Sequence, residues 1–96
     1  MKESRFQSIA RNIGILKAFY DAGSFTVISR SFGMSSQMVR IYIAKAVRFL
    51  HKIAGLSFPG FSKKYLMDNR KGILYLADKW LLKHTVYRMI EVLDDK

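Results

Sequence analysis

Apolar side chains recur three and four residues apart along most of this 96-residue chain, and glycine interrupts the pattern at intervals. Such spacing places the apolar residues on one face of an α-helix, whereas a half-buried strand needs strict alternation, which persists nowhere in the sequence. Half of the residues are hydrophobic, so the chain can bury a core. The pattern predicts an all-α fold with a three-helix core, a short helical turn and a long C-terminal helix.

Glycine and serine residues indicate where these helices end and begin. Gly23 ends the first helix because glycine readily adopts the left-handed conformation, and Ser24 is the predicted N-cap of a short helix whose apolar face holds Phe25, Ile28 and Phe32. The predicted bounds, in chain order, are 4–21, 24–32, 36–53, 62–67 and 70–93. We assign residues 1–55, with the first three helices, to one domain and residues 56–96 to a loop and helical extension.

The most informative segment joins the second and third helices through Gly33, Met34 and Ser35. A turn this tight needs a residue with positive φ after the first of the two helices, and glycine supplies it without a steric clash. Ser35 is the predicted N-cap of the third helix, whose first amides would favour a phosphate. Val39 packs this helix back onto its partner. The arrangement predicts a helix-turn-helix, whose second helix fits a DNA major groove. Residues 1–55 are therefore predicted to be a DNA-binding domain.

Residues 11–53 resemble region 4 of bacterial sigma factors. The resemblance is carried by the Gly33-Met34-Ser35 turn, then Val39-Arg40, then Lys45-Ala46-Val47-Arg48 and Leu50 in the same register without gaps. Sigma factors usually have Arg and Glu where this chain has Ser36, Gln37 and Met38, so their promoter specificity is not implied. The overall architecture is similar to that of small plasmid or fimbrial-operon transcriptional regulators. These resemblances imply a transcription regulator encoded by a bacterium, phage or plasmid, in the cytoplasm and associated with the nucleoid.

The charge distribution favours the same function. Residues 1–67 contain eleven lysines and arginines against two acidic residues, whereas residues 68–96 contain six against five. No acidic residue occurs between Asp21 and Asp68. A basic segment rich in apolar residues is typical of a surface that contacts phosphates, although a protein that is merely basic is the simpler interpretation.

The predicted DNA contacts lie mainly on the outward side of the third helix. Glutamine pairs well with adenine, arginine with guanine and isoleucine with a thymine methyl group. The candidate base contacts are Ser36, Gln37, Arg40 and Ile41. Basic and hydroxyl side chains elsewhere are better suited to phosphates, which position a protein without reading sequence. The candidate backbone contacts are Arg30, Ser35, Lys45, Arg48, Lys52, Lys63 and Lys64.

The last helix has more apolar surface than one contact stripe requires. We expect part of it to close the core and the remainder to meet a second copy of the chain, because paired helix-turn-helix units read half-sites of a palindromic operator. The candidate dimerisation residues are Ile73, Leu76, Trp80, Leu81, Tyr87 and Ile90. A monomer whose last helix only completes the core is the alternative.

Other chemistries have little support in the sequence. Cysteine is absent, and the two histidines lack a partner at metal-ligand spacing, so we expect neither a metal nor a cofactor. We expect His51 to lie at the surface or on a phosphate and His84 to be half-buried. No nucleophile–base pattern suggests an enzyme, and no apolar run is long enough to span a membrane.

The sequence leaves two alternatives to DNA binding open. Sigma region 4 also contacts RNA polymerase, so the resemblance implies a second candidate, a sigma-like interaction module that binds polymerase and modulates transcription. RNA binding would share the charge but lacks the aromatic sheet or Gly-x-x-Gly loop of common RNA modules.

Overall fold

The structure, a computed structural model, describes residues 4–94 and the side chains of residues 4–84. The described residues form five α-helices and no strand, which confirms the all-α class. The helices, in chain order, are α1 (Arg5–Ala22), α2 (Phe25–Phe32), α3 (Ser36–Ile53), α4 (Lys63–Asp68) and α5 (Arg70–Asp94).

Serine residues cap the first four helices, as the sequence predicts for α2 and α3. The hydroxyl oxygens of Ser24, Ser35 and Ser62 each accept a hydrogen bond from the backbone N–H three residues later. Ser4 does the same, and the Gln7 side chain bonds back to the Ser4 N–H, which completes a capping box. A cap of this kind contributes about 1 kcal/mol, so short local signals fix the helix starts.

The core lies between α1 and α3, which pack against each other over the largest area. Their fully buried side chains include Ile13, Leu16 and Phe19 of α1 and Val39 and Ile43 of α3. Helix α2 closes one side of this pair. The apolar spacing misplaces one of its residues, because Phe32 is 47% exposed while Phe25 and Ile28 are buried. Phe32 is the last residue of α2, where the chain turns away from the core.

Helix α4 is attached to the core by two polar contacts. The Tyr20 hydroxyl donates a hydrogen bond to the Leu66 carbonyl at 2.8 Å. His51 Nδ1 lies 2.8 Å from the Val47 carbonyl, which can only accept, so Nε2, at 2.6 Å, accepts from the Tyr65 hydroxyl. His51 is buried. The expectation of a surface or phosphate-contacting His51 is therefore wrong, since both ring nitrogens are used inside the protein.

Helix α5 covers the other side of α1 and α3. Ile73 and Trp80 are only 2% and 7% exposed, so these two candidate dimerisation residues are covered within a single chain and lie in its core. Leu76 and Leu81 are half-buried and pack against the core, and His84 is half-buried as predicted. An ion pair of 2.6 Å between Lys17 and Asp78 joins α5 to α1. The other two candidates, Tyr87 and Ile90, lie outside the residues whose side chains the structure describes.

Candidate nucleic-acid interface

The turn between α2 and α3 is held in a single conformation. Gly33 has φ 64°, in the left-handed region that the sequence predicts for this position. The Met34 N–H bonds to the Ser29 carbonyl at 3.1 Å, and the Ser29 hydroxyl donates to the Met34 carbonyl. Ser35 then caps α3 by accepting the Met38 N–H at 3.1 Å. These bonds leave little freedom in the direction in which α3 begins.

Helix α3 presents an exposed stripe opposite the core. Gln37, Ile41, Lys45, Arg48 and Lys52 are spaced four, four, three and four residues apart and are all exposed. Spacing of this kind keeps side chains on one face of a helix. Three of the five are cations, and the two nearest the N-terminus can contact base edges. We call this set the α3 stripe.

Ile41 and Met38 test whether the outward face of α3 is really free. Both are apolar enough to belong to a core, yet they are 40% and 39% exposed. A helix that buried its whole circumference would cover both of them. The outward face of α3 is therefore a surface, and Ile41 is available for an apolar contact.

Arg40 lies at the flank of the α3 stripe and not in its centre. Its guanidinium carbon is 4.8 Å from the centre of the Phe25 ring, a cation–π contact at the start of α2. Phe61, two residues before α4, lies 6.1 Å from the same ring, centre to centre. The aromatic pair thus places Arg40 on the side of α3 that faces Phe61, in the segment that leads into α4.

Arg11 lies at the opposite flank of the stripe, a position that the sequence pattern does not predict. Its guanidinium carbon lies 4.4 Å from the centre of the Tyr42 ring on α3. The Arg11 guanidinium also donates hydrogen bonds to the side-chain oxygen of Asn12, which is buried. Helical spacing alone cannot predict this position, because it depends on how α1 packs against α3.

The remaining predicted contacts are exposed but differ in their partners. Ser36, Arg30 and Lys63 are exposed. Ser35 is exposed too, and although its oxygen accepts the Met38 N–H, its hydroxyl proton can still be donated to another group. Lys64 bonds to Asp68 at 2.7 Å, a contact that raises the pKa of Lys64 by stabilising its ammonium form, and the Asp68 carboxylate offsets that positive charge. Lys64 is therefore the weakest of the predicted phosphate contacts.

Both ion pairs seen among the described residues involve lysines outside the α3 stripe, namely Lys17 and Lys64. Within the part of the chain that is described, Lys45, Arg48 and Lys52 have no acidic partner. A polyanion would therefore meet three unpaired cations on one helix face.

Other sites find no support in the described residues. No group of histidine and acidic side chains in this part of the chain could hold a metal ion. No described helix combines the length and apolar character needed to cross a membrane. The sequence matches no protein-family model, no curated protein and no solved structure.

Proposed function

We propose that this protein is a small sequence-specific DNA-binding regulator of transcription, with α2 and α3 forming a helix-turn-helix. The observation that carries the proposal is the α3 stripe: three unpaired cations and two exposed residues suited to base contact share one face of a helix whose start is fixed by a left-handed glycine turn. Such a helix matches the dimensions of a DNA major groove.

In this proposal the stripe divides by position along α3. Gln37 and Ile41, together with Ser36 and the flanking Arg40, read base edges near the N-terminus of the helix. Lys45, Arg48 and Lys52 contact phosphates, with help from Arg30, Ser35 and Lys63. The uncapped N–H groups in the first turn of α3 offer a further phosphate site.

We also propose that the protein acts as a homodimer through the outer face of α5. Tyr75 and Leu82 are 64% and 68% exposed, which is unusual for large apolar side chains in the middle of a helix. They lie seven residues apart, so they share one face, away from the buried Ile73 and Trp80. A second copy packed there would let two α3 helices contact half-sites about 34 Å apart on a palindromic operator.

The DNA proposal is tested by selecting binding sites from random duplexes with the purified protein and then measuring affinities by mobility shift. We expect one enriched sequence, bound at least about 10³-fold more tightly than random DNA at physiological salt. Gln37→Ala should relax the preference at one base pair: the free-energy difference between binding the preferred and the wrong base there should fall by about 1–3 kcal/mol. Equal affinity for selected and random duplexes would refute sequence-specific recognition.

The dimer proposal has its own test. Sedimentation equilibrium should give a dimer for the native chain and a monomer for Leu82→Glu, since an exposed position tolerates the charge but an apolar contact does not. Thr26→Glu, at an exposed position of α2, introduces the same single negative charge away from α5 and is the matched control. A native chain that sediments as a monomer with and without operator DNA would refute dimerisation.

A second candidate, binding to RNA polymerase, is favoured by a different observation. Val27 and Phe32 of α2 are about half exposed, although neither belongs to the α3 stripe. DNA phosphates offer such side chains no apolar partner, whereas a protein surface would. Retention of RNA polymerase on the immobilised protein after nuclease treatment, lost in Phe32→Ser, would support this function; retention of polymerase only when DNA is present would refute it.

A further inference from the structure

A groove of about 730 Å³ lies where the start of α1, the end of α3 and the middle of α5 meet. Its apolar wall is formed by Phe6, Ile9, Phe49, Ile53, Leu76 and Trp80. This volume falls within the range of small-molecule sites, about 300–1,000 Å³. The proposed DNA contacts leave this groove unused.

The wall of the groove is preformed by aromatic packing. The Trp80 ring stacks on Phe6 at 5.4 Å and meets the edge of Phe49 at 5.8 Å, between ring centres. His84 packs on the same tryptophan at 4.2 Å. Rings held from three directions cannot easily collapse into the groove, so its apolar surface stays open to a ligand.

The charged side chains at the groove are cations. Arg5, Lys79 and Lys83 line it, and among the residues whose side chains are described no acidic one does. Lys79 and Lys83 are one helical turn apart and both exposed, so they can converge on a single group. Asp78, the acidic residue adjacent to Lys79, is paired with Lys17 and does not line the groove.

We propose that this groove binds an amphipathic organic anion, with an apolar body against Trp80 and a carboxylate between Lys79, Lys83 and Arg5. A free phosphate or a nucleic-acid backbone would leave the apolar wall unused, and a neutral apolar molecule would leave three cations unused. A fatty-acid carboxylate satisfies both parts of the lining.

Such a ligand would also touch the proposed recognition helix. Phe49 and Ile53 belong to α3, so an occupant of the groove contacts the same helix that carries the α3 stripe. An effect of the ligand on DNA binding would rest on the proposed function, whereas ligand binding itself does not.

Trp80 is the only tryptophan in the chain and lines the groove, so its fluorescence reports occupancy directly. The native protein is titrated, without DNA, with decanoate and with decanol, both below the concentration at which they aggregate. We expect saturable changes in Trp80 emission, with decanoate binding about tenfold more tightly, as expected of one charge-assisted hydrogen bond.

The double variant Lys79→Gln/Lys83→Gln should bind decanol as the native protein does and lose the preference for decanoate. Lys71→Gln, an exposed cation of α5 that does not line the groove, is the matched control and should keep the preference. All of these positions are exposed, so we expect the variants to fold, and circular dichroism checks that they do.

Three results would overturn the proposal. Trp80 emission that neither compound changes would show that the groove binds no such ligand. Equal affinity for decanoate and decanol would show that the cations of the groove do not contribute to ligand binding. A loss of preference in Lys71→Gln about half as large as that in the double variant would show an effect of net charge alone, because Lys71→Gln removes one cation and the double variant removes two. None of these results bears on DNA binding, which is measured without ligand.

Discussion

The cations of the α3 stripe give a prediction that can be worked out in numbers. Each phosphate neutralised on double-stranded DNA releases condensed counterions and makes the plot of log affinity against log salt steeper by about 0.9. Lys45, Arg48 and Lys52 are exposed on one face and have no acidic partner among the described residues. If each contacts one phosphate, replacing all three with glutamine should reduce the slope by about 2.7.

This change is large enough to measure without ambiguity. When salt rises from 50 to 200 mM, a slope difference of 2.7 means that the native chain loses about 40-fold more affinity for DNA than the triple variant does. The assay is fluorescence anisotropy on one labelled duplex at four or more salt concentrations, for the native chain, the three single variants and the triple variant. Each single variant should account for about a third of the total.

Two controls separate local contacts from net charge. Lys71→Gln removes a cation that is also exposed but lies on α5, so its slope should equal that of the native chain. Gln37→Ala should change affinity for one sequence over another and leave the slope unchanged. A triple variant that folds normally and keeps the native slope would refute the assignment of these residues to phosphates, and a slope lowered equally by Lys71→Gln would show that position does not matter.

Further predictions concern stability, measured by urea unfolding. Neither Gly14 nor Gly33 has a neighbour within 4 Å of an added Cβ, but only Gly33 has a left-handed φ, +64°. Gly33→Ala should therefore destabilise the protein by about 1–2 kcal/mol and Gly14→Ala should stabilise it by about 0.5–1 kcal/mol; changes of the same sign would contradict this reasoning. Tyr20→Phe should lower the free energy of unfolding by about 1–3 kcal/mol, because it leaves the buried Leu66 carbonyl without its hydrogen-bond donor. Burial, offset in part by Arg70, raises the pKa of Tyr20 to about 12. An unfolded tyrosine loses its proton near pH 10. The native chain should thus lose stability from about pH 10 to 12 relative to Tyr20→Phe, and a constant difference across that range would refute the role of burial.

Local signals in the sequence were sufficient to predict the helices. Ser24 and Ser35 cap α2 and α3 at the predicted positions, and Gly23 and Gly33 follow α1 and α2 in the left-handed conformation. These features depend on backbone groups within three or four residues of each other, so no knowledge of packing is needed to place them. The predicted range of 36–53 for the third helix coincides with α3.

Features that depend on packing between helices were predicted less well. His51 follows Arg48 and precedes Lys52 in a basic helix, which suggests a surface position, but α4 supplies Tyr65 as a partner for its ring and buries it. Ile73 and Trp80 are as apolar as a dimer surface requires, yet the same property suits them to the core of one chain. Composition and spacing cannot decide between these two environments, because both remove apolar surface from water.

Two acidic residues pair with lysines outside the α3 stripe and leave the stripe's cations without a carboxylate beside them in the described chain. Asp78 pairs with Lys17 between α5 and α1, and Asp68 pairs with Lys64 within α4. Exposed ion pairs of this kind contribute little to stability, but each one removes a cation from those available to a polyanion. The α3 stripe has no such partner within the described chain, so no carboxylate there offsets its three cations. We therefore expect a polyanion to be attracted to α3 more strongly than to α4. Asp68→Asn, which frees Lys64, should raise the affinity for all DNA sequences alike without changing which sequence is preferred.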